Sequence, residues 1–345
     1  MTEYPEKIAT EEQLEELLSR PSPELVELFR QLDGDLIFLG IAGKIGPSLA
    51  HMARRACDEA GVRKRIIGVS RFRDEAERRQ IEGFGIETIA GDLLDRDFIA
   101  TLPKVKNVFF LAGMKFGSME NLSMTWAVNT YMPALVAEHF RESRIVAFST
   151  GCVYPLVPIG SGGSLETDIP LPVGEYAQSC LGRERLFEYG AKKYGTPVAL
   201  VRLNYAVELR YGVLVDIAAK VRNRQDVDLS MGYFNVIWQG DANDVVLRAL
   251  EHAGSPAMIL NITGPETLSV REIAKKFAKH FGVEAKLTGE EAITALLSNS
   301  KKAYGLYGEP RTPIDKVIGW IAAWIKEEQR LLGKPTHFEV RDGKY

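Results

Sequence analysis

Residues 35–55, DLIFLGIAGKIGPSLAHMARR, constrain the fold more strongly than any other stretch of the sequence. The apolar run Leu36–Leu39 predicts a buried strand, and the three glycines after it allow a tight turn and a close approach of the backbone. A helix is expected to begin near Ile45 or Pro47, because proline suits the first helical turn. A strand, a glycine turn and a helix in this order predict the start of an α/β sheet.

The glycines have the spacing G-x-x-G-x-x-G, at Gly40, Gly43 and Gly46. Free amide groups at the start of a helix favour an anion, so the expected occupant of the turn is a phosphate or pyrophosphate. Tight packing of a strand against a helix also explains such glycines, and the motif alone leaves this alternative open. The sequence lacks the G-x-x-x-x-G-K-[ST] motif of nucleotide triphosphatases, which argues against that class.

Strand-like apolar runs alternate with helical patterns after the glycine turn, which predicts a doubly wound parallel sheet. The predicted strands are 65–70, 86–90, 106–112, 144–149 and 197–203, and the predicted helices between them are about 45–60, 119–142 and 175–194. Helices at 11–19 and 23–31 precede the sheet, and helices at 213–222, 241–252, 270–281 and 313–332 follow it. We therefore predict an N-terminal helical extension (1–33), a sheet domain (34–204) and a smaller, mainly substrate-binding lobe (205–345), some of whose segments can return to the sheet domain.

The composition favours small-molecule chemistry over binding to nucleic acid or a membrane. The 345 residues are 46% apolar, enough for a substantial core, and the net charge of −3 offers no general attraction to anionic partners. Three cysteines, Cys57, Cys152 and Cys180, are too few for a disulfide framework or a zinc site, so we expect no metal and a reducing compartment. The N-terminus lacks a signal-peptide pattern and no apolar run is long enough to span a bilayer, so the expected location is the cytoplasm.

Further short motifs follow the glycine turn in order along the chain. They are Gly91-Asp92-Leu93, Leu111-Ala112-Gly113, Asn129, the stretch 149–154 (STGCVY), Tyr176, Arg202-Leu203-Asn204 and the stretch 261–272 (NITGPETLSVRE). This series, over about residues 35 to 285, resembles the extended short-chain dehydrogenase/reductase superfamily, of the epimerase/dehydratase type. The resemblance implies an α/β Rossmann fold with a doubly wound parallel sheet and a smaller C-terminal α+β substrate lobe. It also implies a homodimer in which helices 119–142 and 175–194 pair across a two-fold axis.

A nicotinamide dinucleotide cofactor is implied by the same resemblance. Its pyrophosphate would lie on the glycine turn, Asp92 would contact adenine, and Ala112 and Gly113 would border the nicotinamide ribose. The alternative for Asp92 is a solvated acid that caps the next helix. The cofactor-binding candidates are Gly40, Gly43, Lys44, Ile45, Gly46, Ser70, Arg71, Asp92, Leu93, Ala112 and Gly113.

The end of the second predicted strand bears on the choice of dinucleotide. An acid there would bind the ribose 2′-hydroxyl of NAD, whereas arginine accommodates the 2′-phosphate of NADP. The sequence reads Ser70-Arg71-Phe72-Arg73, with no acid before Asp74. Arg71 can stack on adenine while Ser70 or Arg73 meets the phosphate, so NADP is predicted and NAD is the alternative. A solvated basic turn also explains these residues.

In the family that the chain resembles, a Ser or Thr binds the reacting oxygen, and a Tyr transfers the proton with the help of a Lys four residues later. The matching positions are Thr150 and Tyr176, but Cys180 stands in place of the lysine. An unperturbed tyrosine titrates near pH ~10 and needs a neighbouring cation to act as a base at neutral pH. Lys115 or Lys44 can replace the lysine, or Tyr176 acts as proton donor or oxyanion stabiliser with Thr150. In the third alternative, the fold has kept its cofactor and lost its hydride chemistry.

Polar and aromatic residues suited to a hydroxyl-rich ligand supply the substrate-binding candidates, Gly151, Cys152, Asn204, Arg210 and Trp238. Gly151 and Cys152 stand where sugar 4,6-dehydratases of the family carry Asp-Glu, which disfavours dehydration. Residues 231–241 lack the arginine that nucleotide-sugar enzymes place against the diphosphate, so we expect a sugar, sugar acid or lactone without a nucleotide. Arg210 can clamp a carboxylate, and packing in the core or a lid is the alternative for the aromatic residues.

The sequence thus predicts an NADP-dependent oxidoreductase or epimerase that exchanges hydride at the nicotinamide and moves protons through Tyr176 and Thr150. Cys180 and Lys115 complete the catalytic candidates, and a small apolar filler is the alternative for Cys180. Two other functions remain open: a non-redox isomerase or lyase that retains the cofactor, and a cofactor-binding regulatory protein.

Overall fold

Seven parallel strands form the central sheet of the computed structural model, which describes residues 4–115 and 117–344. They are β1 Leu36–Leu39, β2 Ile66–Ser70, β3 Glu87–Ala90, β4 Asn107–Phe110, β5 Arg144–Thr150, β6 Val198–Leu203 and β7 Met258–Ile262. Their order across the sheet is β3-β2-β1-β4-β5-β6-β7, and every pairing between neighbours is parallel. The predicted doubly wound α/β sheet is confirmed. Strand β7 was not predicted, and it returns from the second lobe to pair with β6.

Helices cover both faces of the sheet. In chain order they are α1 Glu11–Leu18, α2 Pro23–Gln31, α3 Gly46–Ala60, α4 Glu75–Gly83, α5 Arg96–Thr101, α6 Leu122–Trp126, α7 Met132–His139, α8 Gly174–Tyr194, α9 Val213–Arg222, α10 Gln239–Arg248, α11 Val270–Phe281, α12 Lys301–Tyr307 and α13 Ile314–Lys326. Helices α2, α3, α10 and α12 bury their apolar residues on one face, and α5, α7 and α8 do so on the other. This two-sided burial explains why the strands are continuous apolar runs.

The second lobe packs α9, α11 and α13 together around a core that contains Phe234, Phe277, Trp320 and Trp324. Four short two-stranded ladders complete this lobe and its junction with the sheet. They pair Val157–Pro158 with Thr294–Ala295, Ala206–Val207 with Ile237–Trp238, Asp226–Asp228 with Lys286–Thr288, and Tyr233–Phe234 with Leu268–Ser269. The mixture of helices and short strands is the predicted α+β character.

The N-terminal extension belongs to both cores. Helix α1 buries Leu14 and Leu18 in the core of the second lobe, whereas α2 buries Leu25 and Phe29 against the sheet. The extension therefore joins the two lobes.

Two predicted helices have different bounds in the structure. The helix predicted at 119–142 begins at Leu122, where Asn121 caps it, and a π-helical turn at Ala127–Tyr131 separates α6 from α7. The helix predicted at 313–332 ends at Lys326, because Glu328 adopts a positive φ of 55° that a right-handed helix cannot contain. Apolar periodicity does not reveal either local change of backbone conformation.

The turn after β1 requires glycine at two positions. Gly40 has a φ of 90°, and a Cβ atom built on it would lie 2.6 Å from the amide nitrogen of Ala112. A Cβ atom on Gly46 would lie 2.0 Å from the carbonyl oxygen of Ile41. Without side chains at these positions, the turn packs directly on the chain that leaves β4.

We expect Gly40→Ala to lower the free energy of unfolding by about 2–4 kcal/mol, because it adds a steric overlap to a left-handed backbone. Gly61→Ala is the matched control, since Gly61 also has a positive φ, of 68°, but no atom lies within 4 Å of its Cβ position. The control should cost about 1 kcal/mol. Urea unfolding measures both, and equal losses would contradict the close contact with Ala112.

Candidate active site

The glycine turn and the exit of β4 form one wall of the candidate site. The chain runs outward in opposite directions from β1 and β4, and open α/β sheets bind ligands in the crevice at such a point. Helix α3 has Ile45 as its N-cap, and no side chain caps its amide groups. These amides, beside Gly40 and the exposed Gly43, fit a dinucleotide pyrophosphate. Ala112 and Gly113 lie next to the turn, after β4.

The turns after β2 and β3 are joined by the Gly91 amide, which donates to the carbonyl oxygen of Ser70 at 3.0 Å. Arg71 and Arg73 are exposed in the first of these turns. Asp74, the nearest acid, accepts a hydrogen bond from the amide of Ala76 at 2.8 Å and caps α4. The turn after β2 therefore exposes two arginines, and the carboxylate of Asp74 is hydrogen-bonded to a backbone amide.

Asp92 and Leu93 follow β3. The Asp92 Oδ1 atom accepts a hydrogen bond from the amide of Leu94 at 2.9 Å, so this carboxylate stabilises its own turn. The Leu93 side chain is buried in the core between the sheet and α5. Only the backbone of Leu93 is left to contact a ligand.

Thr150 and Tyr176, the predicted hydroxyl residues, are connected through Cys152. Thr150 ends β5, and its Oγ1 atom accepts a hydrogen bond from the amide of Cys152 at 3.1 Å. The Cys152 side chain packs with Tyr176, which lies in the first turn of α8. Gly151, between Thr150 and Cys152 in the sequence, leaves room for Asn204, whose side chain lies 3.0 Å from the Cβ position of this glycine.

Both Tyr176 and Cys180 are protonated at neutral pH. Burial raises the pKa of the Tyr176 hydroxyl well above its ordinary value, and the thiols of Cys180 and Cys152 raise it further, while the charge of Arg183 opposes them. Burial also raises the pKa of the Cys180 thiol to about 11. Cys180 therefore is not a thiolate nucleophile, and it packs as a small apolar residue with Val153 and Tyr154.

Lys44 and Lys115 were predicted as substitutes for the lysine that Cys180 replaces, and the structure gives the contacts of both. Lys44 Nζ lies 3.3 Å from the centroid of the Tyr211 ring, and Lys115 Nζ donates to the carbonyl oxygen of Thr336 at 3.2 Å. Burial lowers the pKa of Lys44 to about 7. The cation with the strongest effect on the Tyr176 hydroxyl is Arg183, ahead of either lysine.

Arg183 is the functional candidate that the sequence reading missed. Its guanidinium donates to the Asn129 Oδ1 atom at 2.7 Å and to the carbonyl oxygen of Phe148 at 2.8 Å. Asn129, in the π-helical turn, donates in turn to the Ser179 hydroxyl, at 3.0 Å. The helical spacing of Arg183 from Tyr176 and Cys180, seven and three residues, was the signal that could have found it.

Three predicted substrate residues have other partners in the structure. The Arg210 guanidinium is bound by three carboxylates, those of Glu11, Glu15 and Glu208, so it is not available as a carboxylate clamp. Trp238 is buried in the core of the second lobe, with its ring 5.5 Å from that of Trp320. Asn204 is 2% exposed, and its amide nitrogen donates to the Asn235 Oδ1 atom at 2.8 Å. All three stabilise the interior.

A buried polar network lies under the site. Arg202 on β6 forms an ion pair with Glu184 on α8 at 2.7 Å, and both side chains are at most 1% exposed. The Ser149 hydroxyl donates to Glu184 at 2.5 Å, and Arg202 donates to the Tyr154 hydroxyl at 2.6 Å. Tyr154 then donates to the Asn261 Oδ1 atom on β7 at 2.9 Å. These contacts join α8 to three adjacent strands.

The C-terminal segment contacts the site from the side of the second lobe. Besides accepting from Lys115, Thr336 donates through its hydroxyl to Asp216 on α9 at 2.6 Å. Further along, the carbonyl oxygen of Gly343 lies 2.3 Å from the Cβ position of Gly174, at the start of α8. The segment thus spans from the exit of β4 to the helix that carries Tyr176.

No protein-family model and no curated protein matches the sequence. Solved structures share the fold, including UDP-glucuronic acid 4-epimerase from Bacillus cereus, a mutant in complex with UDP-4-deoxy-4-fluoro-glucuronic acid and NAD (TM-score 0.72, 17% identity, 85% of this chain and 99% of that one). Another is the dTDP-glucose 4,6-dehydratase DesIV from Streptomyces venezuelae with NAD bound (TM-score 0.71, 17% identity, 85% of this chain and 97% of that one). A third is UDP-glucose 4-epimerase from Thermotoga maritima with UDP-glucose (TM-score 0.68, 17% identity, 85% of this chain and 99% of that one). The chain therefore shares its fold with these epimerases and this dehydratase.

The described residues contain no candidate for a metal site or for a membrane-spanning helix. Within residues 4–115 and 117–344, no three His, Cys, Asp or Glu side chains are grouped so that they could hold a metal ion. No helix in the same part of the chain is long and apolar enough to cross a bilayer.

Glu184→Gln should lower the free energy of unfolding by about 3–5 kcal/mol, because it leaves the Arg202 charge buried without its partner. Glu87→Gln is the control, since Glu87 pairs with Arg65 on the surface, where both side chains are about half exposed. That change should cost less than about 1 kcal/mol. Chemical denaturation compares the two, and equal effects would contradict a structural role for the buried pair.

Proposed function

We propose that this chain is an NAD(P)-dependent oxidoreductase or epimerase of the short-chain dehydrogenase/reductase superfamily, acting on a carbohydrate. One observation carries the proposal: an uncapped helix start on a glycine turn packs on the exit of β4, and the same exit packs on α8, the helix that carries the partly buried, protonated Tyr176. The first group suits a dinucleotide and the second suits proton transfer to a reacting oxygen. The structures with the same fold support the proposal, since they were solved with NAD or a nucleotide sugar.

The chain's own residues bind and polarise the reacting oxygen. Bound nicotinamide supplies the acceptor or donor of hydride. The Thr150 hydroxyl accepts from the Cys152 amide, and so its own proton remains to be donated to the substrate oxygen. Tyr176 holds its proton at neutral pH and can donate it to the same oxygen. In this role the tyrosine is a general acid, as one of the alternatives from the sequence requires.

For the cofactor, we favour NADP over NAD. Arg71 and Arg73 are exposed after β2, and the one nearby acid, Asp74, already caps α4. A 2′-phosphate would therefore meet positive charge and no competing carboxylate from Asp74. Lys44 fits the pyrophosphate, because an anion beside an amine whose pKa burial lowers to about 7 would restore its charge.

For the substrate, we favour a sugar, sugar acid or lactone without a nucleotide. Gly151 and Cys152 form a short 3₁₀ turn after Thr150, and neither supplies the carboxyl group that a dehydratase would need there. Arg210, the basic candidate of the second lobe, is held by three carboxylates, which disfavours a role for it in binding a diphosphate. The nucleotide sugars of the similar structures are the competing substrates.

A substrate panel tests this function, with sugars, sugar acids, lactones and UDP- and dTDP-sugars offered together with NADP or NAD. We expect cofactor reduction or an epimerised product, and Tyr176→Phe should lower kcat by about 10²–10⁴-fold, the usual contribution of a general acid. Tyr194→Phe is the matched control, because Tyr194 lies at the opposite end of the same helix.

Turnover that Tyr176→Phe leaves unchanged would contradict the proposed chemistry. Faster turnover with NAD would overturn the NADP preference, and a UDP-sugar as best substrate would overturn the non-nucleotide class. Cofactor binding without turnover of any compound would favour the regulatory alternative.

We also propose that the chain forms a homodimer through α6–α7 and α8. Gly182 and Gly190 let α8 pack closely on the neighbouring helices, opposite Thr130 and Ala137. The outer side of this helix pair leaves large apolar side chains exposed, which a second copy would cover. They are Leu122, Trp126, Tyr131 and Tyr189, between 37% and 57% exposed.

Tyr131→Lys should weaken the dimer by at least about tenfold, because it places a charge in the apolar contact. Ile293→Lys is the control, since Ile293 is 82% exposed and lies in the second lobe. Analytical ultracentrifugation over a range of concentrations gives both dissociation constants. A monomer at all concentrations, or an equal effect of the two changes, would refute this interface.

A further inference from the structure

Arg183 carries a buried positive charge that no carboxylate balances within residues 4–115 and 117–344. Its side chain is 5% exposed, and its hydrogen-bond partners in the described part of the chain are neutral oxygens, from Asn129 and Phe148. Its neighbour Glu184 is committed to Arg202. A guanidinium cannot lose its proton in a protein, so the charge persists at every working pH. Buried charge without a counter-ion is unfavourable, and an anion that forms nearby is correspondingly stabilised.

The position of this charge is fixed by three segments that surround α8. Phe148 on β5 and Asn129 in the π-helical turn hold the guanidinium from two sides. Its Nη2 atom lies 2.7 Å from the Cβ position of Gly113, directly behind the exposed backbone that leaves β4. Gly113 thereby has a reason to be glycine that is independent of any ligand, because a side chain there would overlap Arg183.

Arg183 lies on the same face of α8 as Tyr176 and as Cys180, which occupies the position expected for the lysine. Tyr176, Cys180 and Arg183 have the spacing i, i+4, i+7 on α8, which aligns them along one face. A second connection runs through hydrogen bonds: Arg183 donates to Asn129, Asn129 to the Ser179 hydroxyl, and that hydroxyl to the carbonyl oxygen of Tyr176 at 2.8 Å. The guanidinium thus lies one helical turn beyond the position expected for a lysine.

We propose that Arg183, held behind Gly113 by Asn129 and Phe148, replaces the missing lysine and stabilises the negative charge that forms on the Tyr176 oxygen during proton transfer. This inference rests on the proposed function, in which proton transfer from Tyr176 requires a nearby cation. When Tyr176 donates, its O–H bond breaks, the proton moves to the reacting oxygen, and the tyrosinate retains the electron pair. Arg183 acts through Tyr176 and is a positioning residue.

Other titratable groups around Tyr176 do not supply this positive charge. Cys180 and Glu184 lie on the same helix, and Cys152 and Tyr154 follow β5. Tyr205 packs beside them after β6, and α6 carries no charged residue. Each of these groups is neutral or acidic.

The ionisation of Tyr176 can be followed directly by fluorine NMR, with a fluorinated tyrosine at this position whose lower intrinsic pKa brings the titration into a range where the protein stays folded. The measurement uses the full chain without substrate or cofactor. Arg183→Met should raise the midpoint by about one pH unit, a tenfold change in the ionisation constant. Arg183→Lys should keep it within a few tenths of a unit, because the charge remains.

Adding Cys180→Lys to Arg183→Met should return the midpoint toward the original value, since a cation then stands at the position expected in the family. Arg185→Met is the matched control, because Arg185 lies on the same helix, pairs with Glu188 and is exposed. It should leave the titration unchanged.

A midpoint that does not move in a folded Arg183→Met variant overturns the inference, and so does an equal shift in Arg185→Met. If Arg183→Met fails to fold, Arg183→Gln replaces it, and a midpoint that this neutral variant leaves unmoved overturns the inference. The outcome is separate from that of the proposed function. A shifted titration without turnover of any substrate refutes the function alone, whereas turnover with an unmoved titration refutes the role of Arg183.

Discussion

The buried ion pair between Glu184 and Arg202 is the interaction on which the site depends. Both charges are almost fully removed from water, so each is stable only while the other is in place. Ser149 and Tyr154 satisfy the remaining hydrogen-bonding capacity of the pair. Glu184 lies one residue after Arg183 on α8, and the pair therefore fixes the rotation of this helix against β5 and β6. That rotation decides which side chains of α8 face the crevice.

Once α8 is fixed, the electrostatics of the crevice follow from burial. Tyr176 and Cys180 are held as neutral acids, and the pKa of Lys44 falls because its amine is desolvated. Arg183 keeps its charge under the same conditions, since guanidinium is far more basic. The site therefore combines proton donors with a permanent cation, which favours ligands and intermediates that carry or develop negative charge.

The second lobe influences the site through contacts that close the crevice. Arg210 ties the N-terminal extension to this lobe by binding Glu11 and Glu15, and it supports the segment beneath Lys44 through Glu208 and Tyr211. The C-terminal segment adds a link from Thr336 to Lys115. Arg210, which was expected to bind substrate, thus lies in contacts that hold the lobes together.

The sequence by itself determined the sheet, the glycine turn and the placement of Thr150 and Tyr176. These features depend on local patterns, such as apolar runs, glycine spacing and helical period, which act within a few residues. Strand β7 escaped prediction because its pairing with β6 joins segments far apart in the chain. Only the tertiary structure decided the partners of charged and aromatic residues. Arg210 contacts carboxylates of the N-terminal helix, Trp238 contacts Trp320, and Arg183 contacts no carboxylate in the described part of the chain. Long-range packing determines which charges are balanced and which remain available for chemistry.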